Sequence, residues 1–382
     1  MVRWAVLTVV LVIISGLTAS GAGTAVEGAA IDPATAKASN DGAPLYYDIR
    51  ALGVEGQGWA DTKAPYDRLP ARAEDLVRKP VWNLSRQSAG MCVRFVTDAE
   101  TIWARWTLTN SALAMPHMPA TGVSGLDLYV KTAEGHWHWL AIGKPAAQTT
   151  NAKLVGTLPP GRREYLLYLP LYNGVASVEI GLPKGAMLSL APPRAAELAK
   201  PIVFYGTSIT QGGCASRPGM CHPAILGRRL NRPVINLGFS GSGTMDAEIA
   251  ALLAELDAAV FVIDCLPNMD GKTVAARTAP LVATIRKARP TTPILLVEDR
   301  TYAASFLLAG SRKHNEENRA ALRKAYEELI AAGEKHIGYL DGEKLLALDG
   351  EDTVDGSHPT DLGFVHQADA FQAALEPLLG GK

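Results

Sequence analysis

The chain has 382 residues, of which 48% are hydrophobic and 20% are charged, a composition typical of globular proteins and not of disordered or fibrous chains. Its 37 Lys and Arg residues nearly balance its 38 Asp and Glu residues, so there is no basic excess to hold nucleic acid or anionic lipid through charge. The length favours about two or three domains.

The first residues combine one positive charge with a short apolar stretch. Arg3 precedes an apolar run over residues 4–14, and small residues follow this run. The pattern predicts a secretory signal peptide over residues 1–25, because the run is shorter than the roughly 20 residues that a membrane span needs. An uncleaved N-terminal anchor is the alternative. Residues 26–43 are rich in Ala, Gly and Thr and are predicted to form a flexible leader.

Residues 44–192 carry the pattern of short β-strands. Apolar and polar residues alternate over residues 126–130, aromatic and β-branched residues dominate residues 101–108, and Tyr and Leu fill residues 165–169. Turn residues, such as those at 159–161, separate these runs. Short strands with regular turn signals and no long helical pattern predict a β-sandwich, of the jelly-roll type, for this region.

From residue 202 onward, short apolar strands alternate with helical patterns. The predicted strands are residues 202–205, 234–237, 259–263, 294–297 and 337–340. Between the second and third strands, apolar residues over 249–256 follow helical spacing. Unbroken apolar strands separated by helices are typical of a parallel sheet that is covered on both faces. The Pro-containing segment 191–194 is the predicted linker, so residues 193–382 are predicted to form an α/β domain.

Polar residues follow several of these strands, where ligands bind in open parallel sheets. Ser208 comes directly after the first strand, and Asp355 and His358 stand three residues apart near the C-terminus. A serine nucleophile needs a nearby base, and this spacing lets the carboxylate contact one imidazole nitrogen while the other faces the serine. The alternative is that Ser208 only caps the following helix and that His358 is a surface residue.

The order of these segments resembles that of the conserved blocks of SGNH (GDSL-like) hydrolases. The matching segments are Gly206–Thr210, Asn236–Gly241, the segment around Asn268 and the Asp355-x-x-His358 motif. The resemblance covers about residues 200–380 and implies a flavodoxin-like, three-layer α/β/α catalytic domain. The upstream region is similar to the N-terminal domain of two-domain SGNH esterases, which include carbohydrate acetylesterases.

The resemblance also implies roles for individual residues. The catalytic residues would be Ser208 as nucleophile, His358 as general base and Asp355 as its partner, and the oxyanion donors would be Ser208, Gly241 and Asn268. Gly238 and Gly243 are alternatives to Gly241, which fits the Ser-Gly spacing best. Thr207 stands where the family's namesake motif has Asp, and this departure bears on the subfamily and on loop bonding rather than on the reaction.

Other polar residues near the strand ends have weaker interpretations. Arg217, in the loop between Cys214 and Cys221, is predicted to contact the substrate. Glu298 and Arg300 end the fourth strand and are predicted to line the substrate side. An ion-paired loop with no substrate contact is an equally good interpretation of the strand-end residues.

The four cysteines fall into two groups. Cys214 and Cys221 are close together in one Gly- and Pro-containing loop, so a local disulfide between them is a hypothesis. Cys92 and Cys265 lie inside apolar runs and are predicted to be buried free thiols.

Together these observations predict a secreted or periplasmic esterase that forms an acyl-enzyme on Ser208 and needs no metal or organic cofactor. The expected substrate is a small acyl ester, acetyl first, on a carbohydrate. Neither nucleic acid nor a stable membrane span after processing is expected. Two alternatives stay open: an acyltransferase that uses the same serine, and a carbohydrate-binding protein with an inactive hydrolase domain.

Overall fold

The computed structural model describes residues 28–39 and 43–380. The predicted signal peptide, residues 1–25, lies outside the described residues. The described chain contains two antiparallel sheets, of five and six strands, and one parallel sheet of five strands. No helix in these ranges has both the length and the apolar character that crossing a membrane requires.

The two antiparallel sheets occupy the N-terminal half. Their strands are β1 (Lys37–Ala38), β2 (Leu45–Asp48), β3 (Val54–Glu55), β4 (Cys92–Thr97), β5 (Ile102–Leu108), β6 (Leu126–Lys131), β7 (Trp137–Gly143), β8 (Thr149–Val155), β9 (Arg163–Tyr168), β10 (Val175–Leu182) and β11 (Leu188–Leu190). One sheet has the order β1-β2-β10-β5-β8, and the other has the order β11-β4-β9-β6-β7 with β3 beside β4. Their shared core contains the fully buried Phe95, Trp106 and Leu167, so the predicted β-sandwich is confirmed.

Part of the predicted leader is bound to this sandwich. The Ile31 N–H donates to the Leu188 carbonyl at 2.8 Å, and the Ala29 carbonyl accepts from the Leu190 N–H at 2.9 Å. β1 also pairs with β2. The structure therefore differs from the flexible leader predicted for residues 26–43, because backbone hydrogen bonds hold much of the described part of that segment.

The C-terminal half forms the parallel sheet and its covering helices. Its strands are β12 (Ile202–Gly206), β13 (Val234–Gly238), β14 (Val260–Asp264), β15 (Ile294–Val297) and β16 (Ile337–Leu340), and its helices are α3 (Ser208–Gln211), α4 (His222–Arg229), α5 (Ala247–Glu255), α6 (Gly271–Ala288), α7 (Ala309–Ala331) and α8 (Asp361–Leu378). The order β13-β12-β14-β15-β16, with every pair parallel, is the flavodoxin-like arrangement. The predicted α/β/α fold is confirmed.

Alternate residues of β12 point to opposite faces of the parallel sheet. Val203 and Tyr205 pack with α5, α6 and α7 on one face. Ile202 and Phe204 pack with α4 and α8 on the other face, where Tyr168 of the sandwich joins the same core. The sandwich therefore lies against the face of the parallel sheet that α4 and α8 cover.

An N-terminal segment crosses to the opposite face of the parallel sheet. Two short helices lie in the N-terminal half, α1 (Lys79–Ser85) and α2 (Ala120–Val123). Trp59 and Leu69 upstream of α1, and Val81 and Trp82 within it, pack in one core with the strands of the parallel sheet. These residues fall inside the range 44–192 that the sequence assigns to the sandwich. The two halves are thus separate as sheets, but residues of the N-terminal half belong to both cores that flank the parallel sheet.

All four cysteines of the described chain are free and buried, so the hypothesis of a Cys214–Cys221 disulfide is wrong. The Cys221 thiol donates to the Pro218 carbonyl, with Sγ and O 3.4 Å apart, and thus points into its own turn. Sequence proximity does not by itself bring two sulfur atoms into bonding geometry. The prediction that Cys92 and Cys265 are buried free thiols is confirmed.

These thiols are expected to be unreactive in the folded protein. Burial raises the pKa of both Cys214 and Cys221 to about 11, so little thiolate is present at neutral pH. A colorimetric thiol titration at pH 8 should detect none of the four thiols in the native protein, and all four after denaturation without reductant. Detection of only two thiols after denaturation would contradict the structure.

Candidate active site

Ser208 lies at a sharp turn between β12 and α3. The Thr207 hydroxyl accepts a hydrogen bond from the Ile209 N–H at 3.3 Å and so caps α3. The helix ends after one turn at Gly212, whose φ of 109° is in the left-handed region that glycine adopts readily. Thr207 thus takes a capping role where the family's motif has Asp, and the strand-to-helix turn that carries the serine is retained.

Ser208, His358 and Asp355 form one hydrogen-bonded chain. The Ser208 Oγ lies 2.8 Å from His358 Nε2, and His358 Nδ1 lies 2.8 Å from Asp355 Oδ2. Asp355 Oδ1 also accepts from the backbone N–H groups of His358 at 2.8 Å and Ser357 at 3.1 Å. The carboxylate therefore fixes both the backbone and the ring of the histidine, and the ring nitrogen that faces the serine can accept its proton.

The environment of Asp355 favours its ionised form. Partial burial raises the pKa of the carboxyl, but the hydrogen bonds from the backbone and ring of His358 and from the Ser357 N–H lower it below its usual range. The stabilisation that these bonds contribute is present above about pH 4 and is lost as the pH falls further. The carboxylate is thus available to stabilise a protonated His358 at any mildly acidic or neutral pH.

Three glycines of the loop after β13 were alternatives for an oxyanion donor, and the hydrogen bonds distinguish them. The Gly238 N–H donates to the side chain of Asn236 at 2.9 Å, and the Gly243 N–H donates to Asn268 Oδ1 at 3.3 Å. The Gly241 N–H donates to no other group of the described chain, and its φ is 64°. Because Asn268 Oδ1 is occupied, its Nδ2 donors remain for a ligand.

The sandwich contributes two residues to this region that the sequence motifs do not include. The Tyr172 hydroxyl donates to the Ser208 carbonyl at 3.1 Å. His117, in the loop between β5 and α2, has its ring centroid 6.0 Å from that of His358. Neither residue belongs to a recognisable motif, since each reaches the site only through the packing of the two halves.

A fully buried arginine, Arg68, supports the glycine loop from the opposite side. Its guanidinium donates to the carbonyls of Gly238 at 2.6 Å, Asn236 at 3.1 Å, Leu84 at 2.7 Å and Gln87 at 2.8 Å. Burial lowers the pKa of Arg68 to about 9, so the group stays charged at neutral pH. All of these acceptors are backbone carbonyls, so no pattern of charged residues in the sequence could have indicated this role.

Arg217 holds the nucleophile loop instead of lining a substrate pocket. Its Nη1 lies 2.9 Å from Asp127 Oδ2, and it also donates to the Tyr129 hydroxyl. The same carboxylate accepts from the Gly219 N–H at 2.8 Å and from Trp139 Nε1 at 2.9 Å. This cluster holds the loop after α3 against β6 of the sandwich. The contacts of Arg217 are therefore structural, and they differ from the substrate role predicted for it.

Glu298 and Arg300 are also structural in their contacts. Glu298 is 6% exposed and accepts from the Tyr339 hydroxyl at 2.5 Å and the Gly342 N–H at 2.8 Å. Arg300 is 1% exposed and binds both carboxylate oxygens of Asp264. The ion-paired alternative therefore describes these residues, because burial removes them from any contact with a substrate.

Comparisons with known proteins agree with this geometry. A model described as the GDSL-like lipase/acylhydrolase family matches residues 199–376. A second model, described as the N-terminus of SGNH-hydrolase-type esterases, matches residues 45–188. A search of curated proteins gave no match.

Several solved structures are similar over most of the chain. A protein from Bacteroides ovatus assigned as a GDSL-like lipase is 33% identical with a TM-score of 0.83, over 89% of this chain and 99% of that chain. The salicylyl-acyltransferase SsfX3 of a tetracycline biosynthetic pathway shares the fold at 22% identity and a TM-score of 0.68, over 88% of this chain and 97% of that one. A family two carbohydrate esterase from Clostridium thermocellum, solved with cellohexaose, shares it at 16% identity and a TM-score of 0.53, over 76% and 93%. The chain therefore belongs to the GDSL-like lipase/acylhydrolase family and is an SGNH-type carboxylic ester hydrolase.

Proposed function

We propose that this protein is an exported serine esterase that removes small acyl groups, acetyl first, from a carbohydrate. The observation that carries the proposal is the hydrogen-bonded chain from Ser208 through His358 to Asp355 at the carboxyl end of β12. The family two carbohydrate esterase that was solved with cellohexaose has the same fold, which supports a carbohydrate as the part of the substrate that carries the ester.

The proposed reaction has two steps. Ser208 Oγ attacks the ester carbonyl carbon while His358 Nε2 takes the hydroxyl proton, and the leaving alcohol then receives that proton from His358. Water attacks the resulting acyl-serine, gives a proton to His358, and releases the acid with return of the proton to Ser208. Asp355 stays ionised throughout and stabilises the transient imidazolium.

The developing oxyanion of each step would be held by the N–H groups of Ser208 and Gly241 and by the Asn268 amide. The Ser208 N–H lies in the first turn of α3, where helices leave such groups without an internal partner. With the Gly241 N–H and Asn268 Nδ2, it completes a set of donors that have no acceptor among the described residues. Preorganised donors of this kind stabilise the transition state more than the bound ester.

Replacing Asn268 with Ala tests this assignment. Loss of one oxyanion donor is expected to lower kcat for p-nitrophenyl acetate by roughly 10²- to 10³-fold with little change in KM. Steady-state kinetics of Asn268→Ala and of Asn268→Asp, which keeps the size but not the donors, would measure the effect. Near-normal kcat in both variants would remove Asn268 from the oxyanion site.

A substrate series tests the acyl and alcohol parts separately. For p-nitrophenyl acetate, butyrate and octanoate, kcat/KM is expected to fall with acyl length. Acetylated oligosaccharides are expected to release acetate, measured by an enzymatic assay, and a lipid ester is expected to be a poor substrate. Preference for octanoate and the lipid ester would overturn the small-acyl proposal, and unchanged acetylated oligosaccharides would overturn the carbohydrate part.

Acyl transfer to an alcohol is the second candidate, and the fold shared with a salicylyl-acyltransferase keeps it under consideration. The exposure of the site favours hydrolysis, because 27% of the His358 side chain and 44% of the Asp355 side chain are accessible to water. A transferase must keep water from its acyl-enzyme. We expect free acetate to be the main product even with a sugar acceptor present, and mainly transferred product would reverse the assignment.

Export rests on the charge and apolar pattern of residues 1–25. Intact mass of protein recovered outside the cytoplasm is expected to correspond to a chain that begins after Ala22 or Ala25. A full-length mass in that fraction would indicate an uncleaved anchor.

A further inference from the structure

A second cleft lies between the sandwich and the catalytic domain. It has a volume of about 420 Å³, within the range of small-molecule sites, and does not include the catalytic serine or histidine. Its walls include His136 and Trp137 at the start of β7, Arg228 and Arg229 at the end of α4, and Met220 and Val365.

The charged side chains that line this cleft are both arginines, Arg228 and Arg229. Its lining contains two arginines and His136 and no carboxylate. Arg229 gives one Nη1 bond to Asp369 at 2.6 Å. No carboxylate of the described chain pairs with Arg228. The cleft therefore carries one charge, that of Arg228, that no carboxylate of the described chain pairs with.

Arg228 is held in place with donors to spare. Its guanidinium lies 4.1 Å from the centroid of the Tyr129 ring and 5.6 Å from that of Tyr168. Within the part of the chain that the structure describes, only Nη1 has acceptors, the Tyr168 hydroxyl at 3.3 Å and the Ala224 carbonyl at 3.2 Å. The side chain is only partly buried and lines the cleft, so Nε and Nη2 are available to a ligand there. A planar guanidinium fixed in this way is suited to bind a carboxylate through two parallel hydrogen bonds.

One wall of the cleft is aromatic. The Trp137 indole is partly buried against the adjacent core and is also part of the lining. The Lys131 ammonium lies 5.4 Å from the indole centroid, and Glu164 at 2.9 Å neutralises that charge. An aromatic side chain offers an apolar face to a ring, while the arginines offer donors to an anionic substituent.

We propose that this cleft binds a carboxylate-bearing sugar unit, a hexuronate, of a polysaccharide. The choice of a sugar rests on the proposed function, and the preference for a carboxylate rests on the charges of the cleft itself. The protein would then hold its polymer at a site separate from Ser208 and would favour acidic polysaccharides over neutral ones.

Isothermal titration of the full-length folded protein with trigalacturonate and with neutral cellotriose tests the proposal. Trigalacturonate is expected to bind at least about tenfold more tightly, because charge-assisted bonds contribute more than neutral ones. Arg229→Gln and Arg228→Lys, which loses the planar fork, are each expected to weaken trigalacturonate binding about tenfold. Arg50→Gln, which breaks a comparable surface pair with Asp48, is the matched control and should bind normally.

Three outcomes would overturn the inference: equal affinity for both sugars, normal binding by Arg229→Gln, or displacement of trigalacturonate by an equal concentration of sodium sulfate. The turnover of p-nitrophenyl acetate is measured on the same samples and should be normal in Arg229→Gln. An inactive wild-type protein that still binds trigalacturonate would reject the proposed esterase function and leave the binding site in place.

Discussion

Replacing Ser208 with alanine is expected to lower kcat for p-nitrophenyl acetate by roughly 10⁴- to 10⁶-fold. The Ser208 hydroxyl is the group that lies 2.8 Å from His358 Nε2. A water molecule that took its place in the variant could not form the covalent acyl-enzyme. The variant removes only one oxygen atom from the start of α3, so the melting temperature should stay within about 2 °C of the wild type.

Ser177→Ala, in β10 of the sandwich, is a suitable control for the removal of a serine hydroxyl and should keep full activity. A phosphonate probe should label the wild-type protein once, at Ser208, and should not label Ser208→Ala. Turnover by Ser208→Ala within tenfold of the wild type would refute the nucleophile assignment.

Replacing Arg300 with methionine is expected to reduce the free energy of unfolding by about 3–5 kcal/mol, because it leaves a buried carboxylate without its charge partner. Arg300 binds both oxygens of Asp264 and also donates to Gln367 of α8 at 2.7 and 2.9 Å. Asp264 accepts in turn from the Thr210 hydroxyl at 2.7 Å, so this pair lies directly beneath the nucleophile helix.

Urea denaturation monitored by tryptophan fluorescence would measure the loss. Arg50→Met, which breaks a largely exposed pair, should change the free energy of unfolding by no more than about 1 kcal/mol. The double variant Arg300→Met/Asp264→Leu is expected to be more stable than Arg300→Met, since it no longer buries an unpaired charge. Equal stability of Arg300→Met and the wild type would contradict the prediction.

The free energy of unfolding lost in Arg300→Met should also depend on pH, because a histidine lies beside the Arg300–Asp264 pair. His222 is fully buried, its Nε2 lies 3.9 Å from Asp264 Oδ2, and neither ring nitrogen has a hydrogen-bond partner. Burial and then the charge of Arg300 lower the pKa of His222 well below its usual value. The wild type should therefore lose stability below about pH 6.5, where the unfolded histidine binds a proton. Without Arg300 this decline should be shallower.

The sequence predicted the strands, and it predicted that the segments after them meet at one edge of the sheet, for a common physical reason. Buried parallel strands such as β12 and β14 are continuous apolar runs, and their carboxyl ends must meet at one edge of the sheet. Polar residues that directly follow those runs, Ser208 among them, are thus brought together by topology alone. The family resemblance then added Gly241 and Asn268, which are proposed as oxyanion donors.

Other features depend on packing that local sequence does not report. Glu298 and Arg300 also follow a strand, but they point into the protein, where ion pairing satisfies them. Tyr172 and His117 reach the site from the other half of the chain. Arg68 acts on backbone carbonyls, which every residue has.

The crossing of residues 59–82 to the far face of the parallel sheet has a consequence for any attempt to divide this protein. A fragment that begins at the linker near residue 193 would lack Trp59, Leu69, Val81 and Trp82, and the apolar residues that these side chains cover would be open to water. A sandwich fragment would carry those same side chains with nothing to cover them. The two halves are therefore not interchangeable modules. A graft of this sandwich onto another hydrolase would have to redesign the part of the recipient on which these four side chains pack.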